Sequence, residues 1–362
     1  MTRAVAILGA GIGAQHMDGY LHLPDRYRVA VVCDLDAEKA GELAAKAPGC
    51  AVSGDIPGVL ADPAIDIVDI CLPPHLHGPV AKDAFAAGKH VICEKPLAGS
   101  VLEADEVVEA ARRAGRMLAP IFQYRYGHGL RQLAGLQARG LAGKPLVATL
   151  ETHWNRGAAY YAVPWRGKWA SERGGAILGH AIHIHDLAAQ VFGPVTAVSA
   201  MLDTRVNPIE VDDCAAISMT TGSGGLVTSS ITLGGATDTS RLRFVFSDLT
   251  AESGRKPYAP GADTWTFTAR APAEQAVVDA ALAEIETGIG ALPSGYAGQF
   301  LAIADHLDGK SAPVVTAEDG VRAIELVAAI YLSARTARRV ALPLDRTLPI
   351  CRDWVPAAQT AA

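Results

Sequence analysis

A chain of 362 residues, half of them hydrophobic, has the apolar material for a large core, and its length predicts two domains. A formal net charge of -6 and the lack of any Lys/Arg-rich run argue against nucleic acid or an anionic membrane surface as the main partner, leaving a small molecule. No apolar stretch approaches the roughly 20 residues that span a bilayer, and the first eight residues are too short for a secretory leader, so a cytoplasmic protein is expected. Its six cysteines, Cys33, Cys50, Cys71, Cys93, Cys214 and Cys351, lack C-x-x-C spacing and read as reduced thiols.

Ala4 to Leu8 is a fully apolar run followed at once by Gly9-Ala10-Gly11-Ile12-Gly13-Ala14 and a helix-compatible segment to about Leu23. This is a strand, a tight turn and a helix N-terminus, with Gly9 for the turn, Gly11 for close approach of a pyrophosphate and Ala14 in the close-packing position. The next strand, Tyr27 to Cys33, ends in Asp34, where a carboxylate takes the ribose hydroxyls of a dinucleotide and repels a 2′-phosphate. The expected cofactor is therefore NAD, with NADP disfavoured, although Lys39 one helical turn on softens the preference. Residues 55–62 read as a turn, and Ile65 to Leu72 as a strand interrupted by Asp66 and Asp69. That strand stops at Pro73-Pro74-His75-Leu76-His77, where the prolines force a turn at its carboxyl end. His75 and His77 are candidate cofactor or substrate contacts or, alternatively, capping or surface residues.

Val80 to Ala87 is helical and stops at Gly88; Val91-Ile92-Cys93 is a short buried strand ending in Glu94-Lys95-Pro96. A charged pair at that end faces the crevice where open α/β sheets bind ligands, and Pro96 stiffens the backbone presenting Lys95; the alternative is a surface Lys-Pro loop. A helix from Val101 to Ala114, an apolar run at 117–122 and the polar Gln123-Tyr124-Arg125-Tyr126 close the first domain. Thereafter a helix near Leu130 to Arg139 precedes strands at 146–154, 195–204, 214–220, 226–233 and 242–249, implying a mainly antiparallel sheet interrupted by one helix at about 175–191. Glu318 to Thr336 is an amphipathic helix, and an Ala-rich tail after Pro356 is expected to be disordered.

Two stretches of the second part are chemically dense. In Gly179-His180-Ala181-Ile182-His183-Ile184-His185-Asp186, helical spacing puts His180, His183 and Asp186 on one face and His185 elsewhere. The spacing lacks the i,i+4 pair of a zinc helix, so no metal is expected; acid–base work or hydroxyl binding fits, with core packing as the alternative. In His153-Trp154-Asn155-Arg156 and Tyr160 to Trp169, aromatic faces alternate with hydrogen-bonding groups, which suits a carbohydrate or else pins a loop to the sheet.

These motifs together, with Ala87-Gly88-Lys89-His90-Val91-Ile92-Cys93-Glu94-Lys95-Pro96-Leu97 and Gly174-Gly175, resemble the family of glucose-fructose oxidoreductase, inositol dehydrogenase and the rhizopine catabolism protein over nearly the whole chain. The resemblance implies an α/β fold: a Rossmann domain with a doubly wound parallel sheet over 1–122, then an α/β domain with an open, mainly antiparallel sheet over 123–362, whose helix 318–336 packs back on the first. It also implies a homodimer or homotetramer joined through that sheet. Lys95 matches the lysine of the family's Glu-Lys-Pro motif and His183 its acid–base histidine; where many polyol-oxidising members carry Asp, this chain has Gly179, with His180 beside it to share the role. The candidate cofactor contacts are Gly9, Gly11, Ile12, Gly13, Asp34, Leu72, Pro73, His77, Glu94 and Lys95. The candidate substrate contacts are Lys95, Tyr124, Arg125, His153, Trp154, Arg156, Trp165, Arg166, His180 and His183. The expected reaction is hydride transfer between nicotinamide and a secondary alcohol of a neutral sugar or cyclic polyol; glycoside hydrolysis through transient oxidation and a non-catalytic NAD-binding sensor are the alternatives.

Overall fold

The computed structural model describes residues 2–356, and the Ala-rich tail lies outside them. The chain divides into two units: Met1–Gln123 with Tyr296–Ile324, and Tyr124–Gly295 with Glu325–Ala362.

In the first unit, β1 (Arg3–Leu8), β2 (Tyr27–Cys33), β3 (Ala51–Ser53), β4 (Ile67–Ile70), β5 (His90–Cys93) and β6 (Leu118–Pro120) form a parallel sheet in the order β3-β2-β1-β4-β5-β6. Helices α1 (Gly13–Leu21), α2 (Ala37–Ala44), α3 (Ile56–Ala61), α4 (His77–Ala86) and α5 (Val101–Ala114) make the crossovers. Burial on both faces is why β1, β4 and β5 are almost purely apolar in sequence. The strand order reverses between β1 and β4, so their carboxyl ends frame the crevice that binds ligands in such sheets. Ser100 caps α5 by accepting the Glu103 amide, and Gly115 ends it at φ 60°. Residues 55–62 are not a turn: α3 starts after Asp55 with Pro57 in its first turn, where a missing N–H costs nothing.

The second unit holds α6 (His128–Ala138) and an eight-stranded sheet of β7 (Pro145–Asn155), β8 (Val195–Asp203), β9 (Cys214–Thr221), β10 (Leu226–Thr232), β11 (Gly234–Phe246), β12 (Leu249–Ser253), β13 (Trp265–Ala269) and β14 (Val340–Ala341), ordered β13-β12-β11-β7-β10-β9-β8-β14. Its pairs are antiparallel except β7 with β10. Residues 242–249 are not one strand: β11 is thirteen residues long and a turn at Ser247-Asp248 reverses the chain into β12. Between β7 and β8 stand α7 (Ala158–Tyr161), α8 (Trp169–Glu172), a π-helical turn (Ile177–Ala181) and α9 (Ile182–Phe192). After β13 come α10 (Gln275–Ile289), α11 (Gly295–Leu307) and α12 (Ala317–Thr336).

The return of Tyr296–Ile324 to the first unit is what a linear division of the chain omits. Phe300 is fully buried there, its carbonyl accepting from the Tyr27 hydroxyl at 2.7 Å, while the Gln299 side chain bonds the backbone of Phe122 and Pro120. At the start of α12, a Cβ on Gly320 would lie 2.7 Å from the Pro120 ring.

Candidate active site

The cofactor half of the site is built on the β1–α1 turn. Gly9 has φ 102°, and a Cβ there would lie 2.5 Å from the Cys71 carbonyl, so both conformation and space demand glycine. A Cβ on Gly11 would meet nothing within 4 Å, which leaves the loop open to a pyrophosphate. The close-packing position is Gly13 rather than Ala14: a Cβ on Gly13 would come within 2.7 Å of Ile7, because the helix begins there and lies directly on β1. Ile12 is the residue preceding that first helical turn. Asp34 accepts the Ala10 amide at 2.7 Å through Oδ2 and the Asp36 amide at 2.9 Å through Oδ1, so it also braces the glycine turn. A carboxylate has about four lone-pair sites, so capacity for ribose hydroxyls remains. Lys39 pairs with Asp36 at 2.8 Å on the surface.

Leu72 and Pro73 follow β4 at the crevice, but His77 and Glu94 are turned inward. The buried His77 ring lies between the Pro96 carbonyl at 2.6 Å and the Leu72 carbonyl at 2.7 Å, tying the two strand ends together. Burial is the largest influence on it and lowers its pKa against the pull of those carbonyls. Glu94, 4% exposed, accepts from His16 and Tyr296 through Oε1 and from the Lys95 amide through Oε2. Lys95 itself is half-buried after β5, on a cis Lys95-Pro96 bond.

The second unit carries the histidine segment. His183, in the first turn of α9, is 4% exposed and stacks on Tyr124 with ring centroids 4.3 Å apart and planes at 21°. Arg125 grips Asp186, one turn on, in a two-point ion pair at 2.7 and 2.5 Å. Tyr124 and Arg125 thus orient the histidine helix, the Arg125 fork gripping Asp186 through two of its nitrogens. His180 sits in the π-helical turn ahead of α9, with Nε2 3.3 Å from the Tyr160 hydroxyl and its ring edge-on to Trp154 at 5.0 Å. Helical i,i+3 reasoning assumes 3.6 residues per turn, and the wider π turn breaks it. His185 packs on the sheet, bonding Ser229 at 3.0 Å, and burial pushes its pKa down to about 4.

Around His180 the aromatic segment forms a cluster. Arg156 stands over the rings of Trp154, Tyr160 and Tyr258 at 5.1, 5.3 and 5.3 Å and pairs with Asp238 at 3.0 Å. Arg166 bonds the Tyr160 hydroxyl and lies over Trp165 at 4.5 Å. His153 does not belong here. Side chains alternate along β7, so with Trp154 on the covered face His153 projects from the opposite one, 3.0 Å from Ser230. Trp169 is also no ligand surface: it is buried, with its indole N–H on the Glu210 carbonyl at 2.8 Å.

Sequence reasoning missed His16, Asp212, Asp238 and Tyr258. Asp212, buried beneath Gly174-Gly175, accepts the amides of Gly175 and Ile177 and the Tyr331 hydroxyl at 3.1, 2.9 and 2.6 Å, anchoring the start of the histidine segment. Burial raises its pKa against those bonds. Nothing in its local sequence marks that role; Asp69, a charge inside an apolar strand, was the one visible signal of the buried network around His16.

A parallel sheet in this order, a glycine turn opening α1 and an acid after β2 define an NAD-binding oxidoreductase. The chain belongs to the glucose-fructose oxidoreductase, inositol dehydrogenase and rhizopine catabolism protein family: residues 3–122 match its model for the oxidoreductase NAD-binding Rossmann fold and residues 138–342 that for its C-terminal alpha/beta domain. It is 36% identical to inositol 2-dehydrogenase of Rhodococcus jostii over 40% of each chain, and 33% identical to D-glucoside 3-dehydrogenase of Escherichia coli over 52% of this chain and 54% of that one. Across four further curated oxidoreductases the match spans 57% to 66% of their own length. Its fold superposes on the WlbA dehydrogenase of Bordetella pertussis, solved with NADH and UDP-GlcNAcA, with a TM-score of 0.82 at 26% identity, covering 95% of this chain and 99% of that one.

Proposed function

We propose that the protein is an NAD-dependent dehydrogenase that oxidises a secondary alcohol of a neutral sugar or cyclic polyol, or in reverse reduces the keto sugar. The observation that carries this is His183, held against Tyr124 and followed one turn on by the anchored Asp186, in a chain whose other unit carries Lys95 two residues after β5. His183 takes the hydroxyl proton, a task suited to a side chain whose ordinary pKa lies near neutrality. The Lys95 ammonium hydrogen-bonds the oxygen as negative charge grows on it, a contribution strongest where water is excluded. Bound NAD supplies the hydride acceptor, held by the Gly9 to Gly13 turn and Asp34. The neutral substrate is favoured over a sugar acid because the Arg156 charge is already met by Asp238.

Screening a panel of sugars, polyols and sugar acids for NADH absorbance tests the reading; turnover confined to sugar acids overturns the neutral substrate. Glycoside cleavage without net NADH would place the protein with the hydrolases, and binding of NAD with no turnover would make it a sensor. The uncovered sheet face bearing Thr149, Glu151, His153 and Ser230 is the proposed joint of a homodimer or homotetramer, and light scattering on the purified protein reads its mass.

A further inference from the structure

A histidine lies between two buried carboxylates in the first unit, beside the Lys95 turn. Helix α1 directs His16 and Tyr20, one turn apart, onto the sheet; β4 contributes Asp69, with Cys71 just past its end; Glu94 follows β5; and α11 brings Tyr296 and Phe300 against the imidazole. His16 and Asp69 are 0% exposed. His16 Nδ1 is 2.8 Å from Asp69 Oδ2, which also accepts from the Tyr20 hydroxyl at 2.8 Å, and Nε2 is 3.1 Å from Glu94 Oε1. The Tyr296 hydroxyl donates to the same Glu94 oxygen at 3.0 Å, and the second oxygen accepts the Lys95 amide at 2.9 Å. Two ring nitrogens facing two carboxylates are both satisfied as donors only in the imidazolium. Burial, the largest influence, opposes that charge, but the field and hydrogen bond of Asp69 act against it and the His16 pKa stands well above its ordinary value.

His16, Asp69 and Cys71 stand close enough to suggest a metal, their ligand atoms lying within 4.8 Å of one another. The 2.8 Å Nδ1 to Oδ2 contact is a hydrogen bond that already joins two of the three groups, and burial, with Asp69 beside it, pushes the Cys71 thiol up to about 12 in the metal-free protein. A buried carboxylate that lost its partner would be an uncompensated charge in the core, so the arrangement holds together as a unit.

We propose that His16 is a positioning residue of the oxidoreductase site, clamping Glu94 between the sheet core and the Lys95 amide so that the Glu94-Lys95-Pro96 turn presents Lys95 in one place. This rests on the reading of Lys95 as catalytic, yet the clamp is readable without turnover. In the NAD-bound protein, reductive methylation with a carbon-13 label marks each lysine, and Lys95→Arg assigns the Lys95 signal. A single sharp Lys95 signal is expected in the wild type; His16→Asn and Glu94→Gln should shift or split it while those of Lys39 and Lys168 stay put. Nitrogen-15 histidine spectra should show both His16 ring nitrogens protonated across neutral pH. With a substrate in hand, His16→Asn should lower kcat about tenfold or more while KM and NADH affinity change little, and Tyr296→Phe should fall between, since a displaced catalytic group costs rate before binding. An unmoved Lys95 signal in both variants, or a neutral His16 in the wild type, overturns the proposal. If the signals behave as expected but no substrate turns over, the clamp stands and the dehydrogenase reading falls.

Discussion

At the scale of single residues, Lys95 and His183 are predicted to share one oxygen atom of the substrate. Lys95→Ala and His183→Ala should each lower kcat by roughly 10²-fold or more while NADH binding, followed by tryptophan fluorescence, stays near wild type. Near-normal turnover of Lys95→Ala on a good substrate would end the mechanism. Cofactor choice is likewise assigned to one carboxylate: Asp34→Ser should narrow the preference for NAD over NADP in a fluorescence titration, and tighter NADPH binding by the wild type would contradict it. The two tryptophans of the aromatic segment should separate. Trp165, half-buried against Arg166, should cost turnover when replaced by Ala, whereas Trp169, buried on Glu210, should cost thermal stability.

At the scale of elements, the histidine segment depends on how its start is anchored. A Cβ at Gly175 would lie 1.8 Å from the Asp212 carbonyl, while one at Gly179 would have no neighbour nearer than the Glu172 carboxylate at 3.9 Å. Gly175→Ala should therefore lose about 1–3 kcal/mol or more in urea unfolding, and Gly179→Ala should be neutral or gain a few tenths of a kcal/mol. Helix α9 also carries an acid-sensitive group. His185 has a folded pKa of about 4 against an ordinary 6.5, so between those values the unfolded chain binds the extra proton. Stability from this group is complete above about pH 6.5 and is lost as pH falls toward 4, by about 3 kcal/mol in all. Comparing urea midpoints of the wild type and His185→Gln at neutral pH and near pH 4.5 checks this; equal pH dependence in the two would refute it.

At the scale of the whole molecule, a net charge of -6 and an aromatic cluster whose Arg156 is already paired predict turnover that varies little with ionic strength, because salt screens steering of a charged ligand but not stacking. A steep decline with added salt would point to an anionic substrate and make Arg166 the leading specificity residue. The alternation of apolar runs with glycine turns was enough, in the linear sequence, to specify the Rossmann half, since strands buried on both faces and a glycine-bounded helix start are local signatures that no distant contact alters. The places of Gly9, Gly11, Asp34, Lys95 and His183 could be read for the same reason: each stands just after a strand or at the start of a helix. What only the tertiary structure decided were matters of facing and of distant partners. It turned His77 and Glu94 inward, put His153 on the far side of β7 from Trp154, set His180 in a π turn ahead of α9, and returned residues 296–324 to the first unit. Sequence periodicity gives the spacing of side chains along an element, but which carboxylate meets which imidazole is set by the packing of elements far apart in the chain, as the meeting of His16, Asp69, Glu94 and Tyr296 illustrates.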